Sequence, residues 1–113
     1  MKTEISWNDF EKIDIRVGTI IDAQPFEKAK NPAYKLWIDF GSEIGIRKTS
    51  AQITVLYGID ELIGKQIVAV VNFPPKQIAD FMSECLVLGV VGSDKEVTLI
   101  APGKAVENGL AIG

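Results

Sequence analysis

A small all-β barrel is the fold class that this sequence predicts, and three observations carry it. Apolar and polar residues alternate in several short runs, the pattern of a strand with one buried face. Such runs return about every dozen residues, with Gly, Pro, Asn and Asp between them. Segments with helical spacing are brief. The 113 residues suit one domain, and 47% of them are hydrophobic, enough for a modest core and too many for a disordered chain.

The elements follow in order. "SWNDFEKI" predicts a short helix in which Ser6 is the cap, Asp9 stands in capping-box spacing, and Trp7 and Phe10 share a face. "DIRVGTIIDAQPF" predicts the first strand, with Ile13, Ile15, Val17 and Ile21 on one side, Asp14, Arg16 and Asp22 on the other, and Gly18 as a bulge. Pro25 and Pro32 bracket a loop carrying Lys28, Lys30 and Asn31. "YKLWIDFG" alternates cleanly, with Tyr34, Leu36, Ile38 and Phe40 facing away from Lys35, Trp37 and Asp39. "IGIRKTSAQI" gives a third strand, and "VLYGIDELIG" a helical turn that ends at Gly64. "KQIVAVVNF", "ECLVLGVVG" and "EVTLIAPG" supply the remaining strands. Five main strands with a helix before the fourth suit an OB-type barrel, flanked by extensions at 1–12 and 101–113. Ile15, Val17, Leu36, Ile38, Val71 and Val87 are the expected interior residues.

Composition narrows the function. No apolar stretch approaches the ~20 residues of a membrane span, and "MKTEISWNDF" does not read as a signal peptide, so a cytoplasmic protein is expected. Cys85 is the only cysteine, which rules out an intrachain disulfide and agrees with a reducing compartment. With no histidine, Ser-His and Cys-His nucleophiles and the commonest metal ligand are missing. "GIDELIGKQ" fails as a phosphate loop: five residues separate Gly58 from Gly64 where four are needed, and Gln66 stands where Ser or Thr would hold magnesium. No enzyme, cofactor or metal is expected. The net charge of −3 is unevenly spread: residues 28–76 carry seven basic and four acidic side chains, while both flanks are acidic. That weak positive belt implies local, modest attraction for RNA.

One stretch stands apart. In "VVNFPPKQIADFMSECLVLGVVG", two apolar runs enclose a double proline and a polar segment, the arrangement of a presented loop. Together with "DIRVGTI" and "YKLWIDFG", it resembles the tRNA-binding OB domain that is appended to some methionyl-tRNA synthetases and also found as stand-alone dimers. "KLWIDFGSEIGIRKTSAQI" and "AVVNFPPKQIADFMSECLVLG" resemble the CsaA-type chaperones within it, and the likeness runs from about Ile13 to Ile112. The resemblance implies a homodimer that holds unfolded or export-destined polypeptides, with tRNA binding as a companion or alternative role. It implies that Asn72 and Ser83 lie on the RNA-contacting face, beside Lys35. Where the RNA-binding pattern carries Arg-Gly after the proline loop, this chain has Ala79-Asp80.

The expected contacts with RNA are therefore Lys35, Arg47, Lys48, Asn72, Lys76 and Ser83. Phe40, Phe73 and Phe81 are the expected peptide contacts around a rim stiffened by Pro74 and Pro75. Plainer readings stand beside these: Asn72 and Ser83 as partners of backbone groups at strand ends, the cations as solvated surface, the phenylalanines as core. Trp7, Phe10, Val106, Leu110 and Ile112 lie outside the barrel strands, and their apolar side chains are expected at a dimer interface.

Overall fold

The computed structural model describes residues 1–113. In chain order the elements are α1 (Trp7–Glu11), β1 (Ile15–Pro25), β2 (Tyr34–Asp39), α2 (Gly41–Ile44), β3 (Ile46–Ala51), α3 (Ile59–Leu62), β4 (Gln66–Val70), β5 (Lys76–Ile78), β6 (Phe81–Ser83), β7 (Leu86–Val87), β8 (Gly89–Val91) and β9 (Val97–Leu99). Five strands form an antiparallel sheet in the order β3-β2-β1-β4-β7, and its ends approach each other to make a nearly closed barrel. β5–β6 and β8–β9 are separate hairpins. This is the OB-type barrel expected, with α3 between the third and fourth strands.

Helix α1 starts as its sequence requires. Ser6 Oγ accepts from Asp9 N at 3.1 Å while Asp9 Oδ2 accepts from Ser6 N at 3.0 Å, the reciprocal pair of a capping box. Ile20, Leu36, Ile38, Phe40, Leu62 and Ile67 are fully buried and form the centre of the core. Val71 joins them and Val87 packs against them.

The first strand differs from its expected phase. Its register with β2 slips between Ile20 and Asp22, so the irregularity falls at Ile21 and not at Gly18. Ile20 and Ala23 therefore face the core, and Ile21 is exposed. Gly18 has a packing role: a Cβ there would stand 2.6 Å from Ile38 Cγ2 and 2.7 Å from Phe40 Cδ1. Val17 is buried but lies outside the core cluster, and Ile15 is only half-buried. The run "ECLVLGVVG" is not one strand either. Leu88 N donates to Val68 O in the barrel at 2.9 Å, whereas Leu88 O accepts from Ile100 N at 3.3 Å, so the chain leaves the barrel there and enters the β8–β9 hairpin.

Residues 109–112 lie along β1, on the edge that β2 leaves uncovered. Gly109 N donates to Val17 O, Val17 N to Leu110 O, and Ile112 N to Ile15 O, at 2.8–3.0 Å. Arg16 fastens the same junction through Gly109 O at 2.9 Å and Asp14 Oδ1 at 2.6 Å. Thr19 Oγ1 and Gln66 Nε2 both donate to Asn108 Oδ1. Gly109 adopts φ +93°, and a Cβ on it would meet Phe40 O at 2.5 Å, so only glycine fits.

Candidate functional site

The site is built on the outer face of β2 and β3. The register pairs Leu36 with Thr49, and both are buried inside the barrel. By alternation the neighbouring pairs, Lys35 with Ser50 and Trp37 with Lys48, point outward. The β5–β6 hairpin lays Phe81 against this face. Its ring packs edge-on to Phe26 at 5.4 Å and to Trp37 at 6.0 Å, forming with Ala33 a small cluster separate from the main core. Two ammonium groups converge on that platform. Lys35 Nζ lies 5.0 Å from the Phe26 ring centre and 5.1 Å from that of Phe81, and Lys48 Nζ lies 5.1 Å from Phe81. Neither lysine has a carboxylate within 4.0 Å.

Beside this face is the seam where β3 meets residues 83–85. Glu84 N donates to Lys48 O at 2.8 Å, and Glu84 Oε1 accepts from Lys48 N at 3.0 Å. Ser83 Oγ accepts from Ser50 N at 3.0 Å, and the two serine hydroxyls stand 3.2 Å apart. Thr49 Oγ1 donates to Cys85 O at 2.7 Å. The Cys85 thiol is buried, which pushes its pKa up to about 12 and leaves it a poor nucleophile.

Beside the seam a groove of about 690 Å³ is lined by the end of β3, the β5–β6 hairpin and residues of β7, β8 and β9. Phe73, Pro74, Ile78, Leu86, Val91 and Ile53 are among its apolar lining residues. Lys76, Gln52 and Ser83 bring polar groups to its edge. Phe73 is 55% exposed and Val91 82% exposed, so the groove presents apolar surface to solvent.

The expected RNA contacts are thus divided. Lys35 and Lys48 share the aromatic platform, and Lys76 is exposed on the hairpin. Arg47, next to Lys48, points the other way, because its partner across the ladder is the inward-facing Ile38, and its Nη1 donates to Val71 O at 2.6 Å. Asn72 has both amide groups engaged: Nδ2 donates to Lys12 O at 2.7 Å and Oδ1 accepts from Asp14 N at 3.0 Å. Ser83 is part of the seam. The plainer reading of strand-end partners describes Asn72 and Ser83 well.

The three phenylalanines do not come together. Phe40 is fully buried beneath Gly18, so a peptide cannot reach it without opening the barrel. Phe81 is buried in the small cluster, and only Phe73 lines the groove. Trp7 is 84% exposed, Leu110, Ile112 and Val106 are also exposed, and Phe10 is half-buried, so an apolar surface does remain at both extensions. Sequence reasoning missed Trp37, Phe26 and Leu86. Trp37 was detectable as a large aromatic on an otherwise polar strand face, whereas the other two depend on how the chain folds back.

Fold and site together define a small barrel with two adjoining surfaces, one cationic and aromatic, the other apolar. The profile of the family described as "Putative tRNA binding domain" matches residues 15–111, and the chain belongs to that family. Within it, the chaperone CsaA of Bacillus anthracis is 48% identical and superposes with a TM-score of 0.94, over 98% of this chain and all of that one. The CsaA chaperone of Picrophilus torridus is 55% identical, with a TM-score of 0.92 over 97% of this chain and all of that one. The methionine–tRNA ligase of Clostridium perfringens is 36% identical over 105 residues, which are 92% of this chain and 16% of the ligase. The chain thus spans about one-sixth of the length of such curated relatives. The family is one of tRNA-binding domains, not of catalysts. No helix is long and apolar enough to cross a membrane.

Proposed function

We propose that this protein is a CsaA-like chaperone of the cytoplasm that, as a homodimer, holds unfolded or export-destined polypeptide segments. The observation that carries the reading is the apolar groove between the β5–β6 hairpin and the β7–β8 segment. It is open, it has few charges, and its rim can satisfy a peptide backbone through Ser83, Gln52 and Lys76. Burying a large apolar side chain contributes about 1.5–3 kcal/mol, so two or three shallow contacts give roughly micromolar affinity. That strength suits a holder that must release its client. Trp7, Leu110 and Ile112 offer the surface for the second subunit. The test is suppression of aggregation of a denatured protein by Phe73→Ser and Leu86→Ser. Both variants should stay folded and dimeric by light scattering and lose roughly tenfold in peptide affinity. Full activity in both would sink the groove reading, and a single-chain mass at micromolar concentration would sink the dimer.

A second reading is favoured by the lysines on the aromatic platform and by the family itself. The protein also binds tRNA, through Lys35 and Lys48, with Lys76 at the margin and with bases stacked against Trp37. Ser83 supports this face by accepting from Ser50 N, whereas Arg47 and Asn72 fasten Val71, Lys12 and Asp14 away from it. Replacing Lys35 and Lys48 by Ala should weaken tRNA binding and reduce the salt dependence by roughly 1.4–1.8 in log–log slope.

A further inference from the structure

Beside the cationic platform, next to the Glu84 carboxylate that bonds Lys48 N, stands a second carboxylate that the tRNA reading does not use. Asp80 sits at the tip of the β5–β6 hairpin, after Ala79, whose φ of +52° sets the direction of the turn. Its Oδ2 accepts from Lys28 Nζ at 2.8 Å, and the pair is exposed. Lys28 comes from a different element, the loop between β1 and β2. That loop is fixed to the barrel by Phe26, which is buried against Phe81, and by Phe26 N donating to Ala33 O at 3.1 Å. An aromatic contact below and an ion pair above therefore hold loop and hairpin tip together. Lys35, whose ammonium stands over the same two rings, lies near enough to help keep the Asp80 carboxyl below its usual range, after the larger effect of the Lys28 bond.

Lys28, Lys35 and Lys48 thus bring ammoniums to the platform, while the carboxylates beside it are Asp80, paired with Lys28, and Glu84, whose Oε1 accepts from Lys48 N at 3.0 Å. Lys28 is the one whose charge is taken up within the molecule. We propose that Asp80 is a specificity-determining residue that masks Lys28 and so sets how strongly this face attracts RNA phosphates. This rests on the tRNA reading of the Lys35–Lys48 face. A solvent-exposed ion pair is weak, so the mask restrains binding by several-fold and does not abolish it.

The experiment measures binding of fluorescein-labelled, unfractionated tRNA across a salt series, for the full chain and its variants. Asp80→Asn removes the charge and keeps the shape. It should tighten binding roughly fivefold near 0.1 M salt and steepen the log–log slope by about 0.7–0.9, the contribution of one added phosphate contact. Lys28→Met alone should change affinity less than twofold, and in its background Asp80→Asn should lose more than half of its gain. Unchanged melting curves would show that the variants are folded. An unchanged affinity in Asp80→Asn, or a gain of the same size without Lys28, overturns the proposal while leaving the tRNA reading in place. Wild-type binding that is insensitive to Lys35→Ala with Lys48→Ala overturns both.

Discussion

The two sides of the barrel are held by different chemistry. Around β1 the chain is bonded mainly by backbone: to β4 along Ile15–Thr19, to β2 along Thr19–Pro25 with one irregularity at Ile21, and to residues 109–112 by three backbone bonds on the remaining edge. At the opposite seam one backbone bond, from Glu84 N to Lys48 O, is joined by bonds that involve the side chains of Ser83, Glu84 and Thr49. A ladder leaves no room between its strands. A seam closed by side chains leaves the strands free to diverge, and both the groove and the aromatic platform lie beside it. The part of the barrel that is least tightly closed is the part that carries both candidate surfaces.

This contrast can be broken most forcefully on the ladder side. Phe40→Ala should cost about 3–5 kcal/mol in urea denaturation, because a fully buried ring beneath Gly18 has nothing mobile to fill its place. A loss under 1 kcal/mol would mean that this side is as yielding as the seam. At the seam, Ser83→Ala leaves Ser50 N without its acceptor and should cost about 1–2 kcal/mol. The same change should loosen hydrogen-exchange protection in β3 and leave β1 unaffected. If β1 loosens equally, the two sides are one cooperative unit and the distinction fails.

Alkaline pH gives a smaller effect at the same place. Cys85 holds its proton more firmly in the folded state, with a pKa of about 12 against an ordinary value of 9.0. The folded protein therefore carries the extra proton between these values, and stability falls as pH rises through that window. The loss should be about 1 kcal/mol from pH 9 to pH 10, and it should be absent in Cys85→Ala relative to its own value at pH 8. An identical decline in both proteins would assign the effect to other groups. Smallest of all, Ala79→Gly relieves a left-handed turn residue at the hairpin tip and should stabilise by no more than about 1 kcal/mol. A destabilised variant would show that the turn is not strained.

Much of the ladder side is legible in the sequence, and much of the seam is not. Tyr34–Phe40 alternates because one face turns inward, so the period of two identifies Leu36 and Ile38 directly. The capping box at Ser6 and Asp9 is equally local, and so is the helical turn before Gly64. β1 misleads because its extra residue is at Ile21, where nothing in the composition marks it, whereas Gly18 looks like a bulge and is instead a contact with Phe40. Phe40 itself was placed at a binding rim because a strand's aromatic end looks the same whether it points in or out. The groove brings together residues from 49 to 97, and the platform depends on Phe26 and Phe81 meeting across more than fifty positions. Such meetings have no local signature. Lys35 and Lys48 were legible as outward cations, yet their stacking on a common ring was not.

The strand-like course of residues 109–112 has a kinetic consequence. Arg16 and Gly109, which it bonds together, lie 93 positions apart in the chain. An emerging polypeptide can form β1, β2 and β3 early, but the outer edge of Ile15–Val17 has no partner until nearly the whole sequence is available. Until then it is an open edge, able to pair with another unfinished copy. Closing so distant a contact also slows folding, to the range of roughly milliseconds to seconds common for barrels of high contact order. During the interval between synthesis of the first strand and completion of its edge, that edge is an unpaired template of the kind that promotes aggregation.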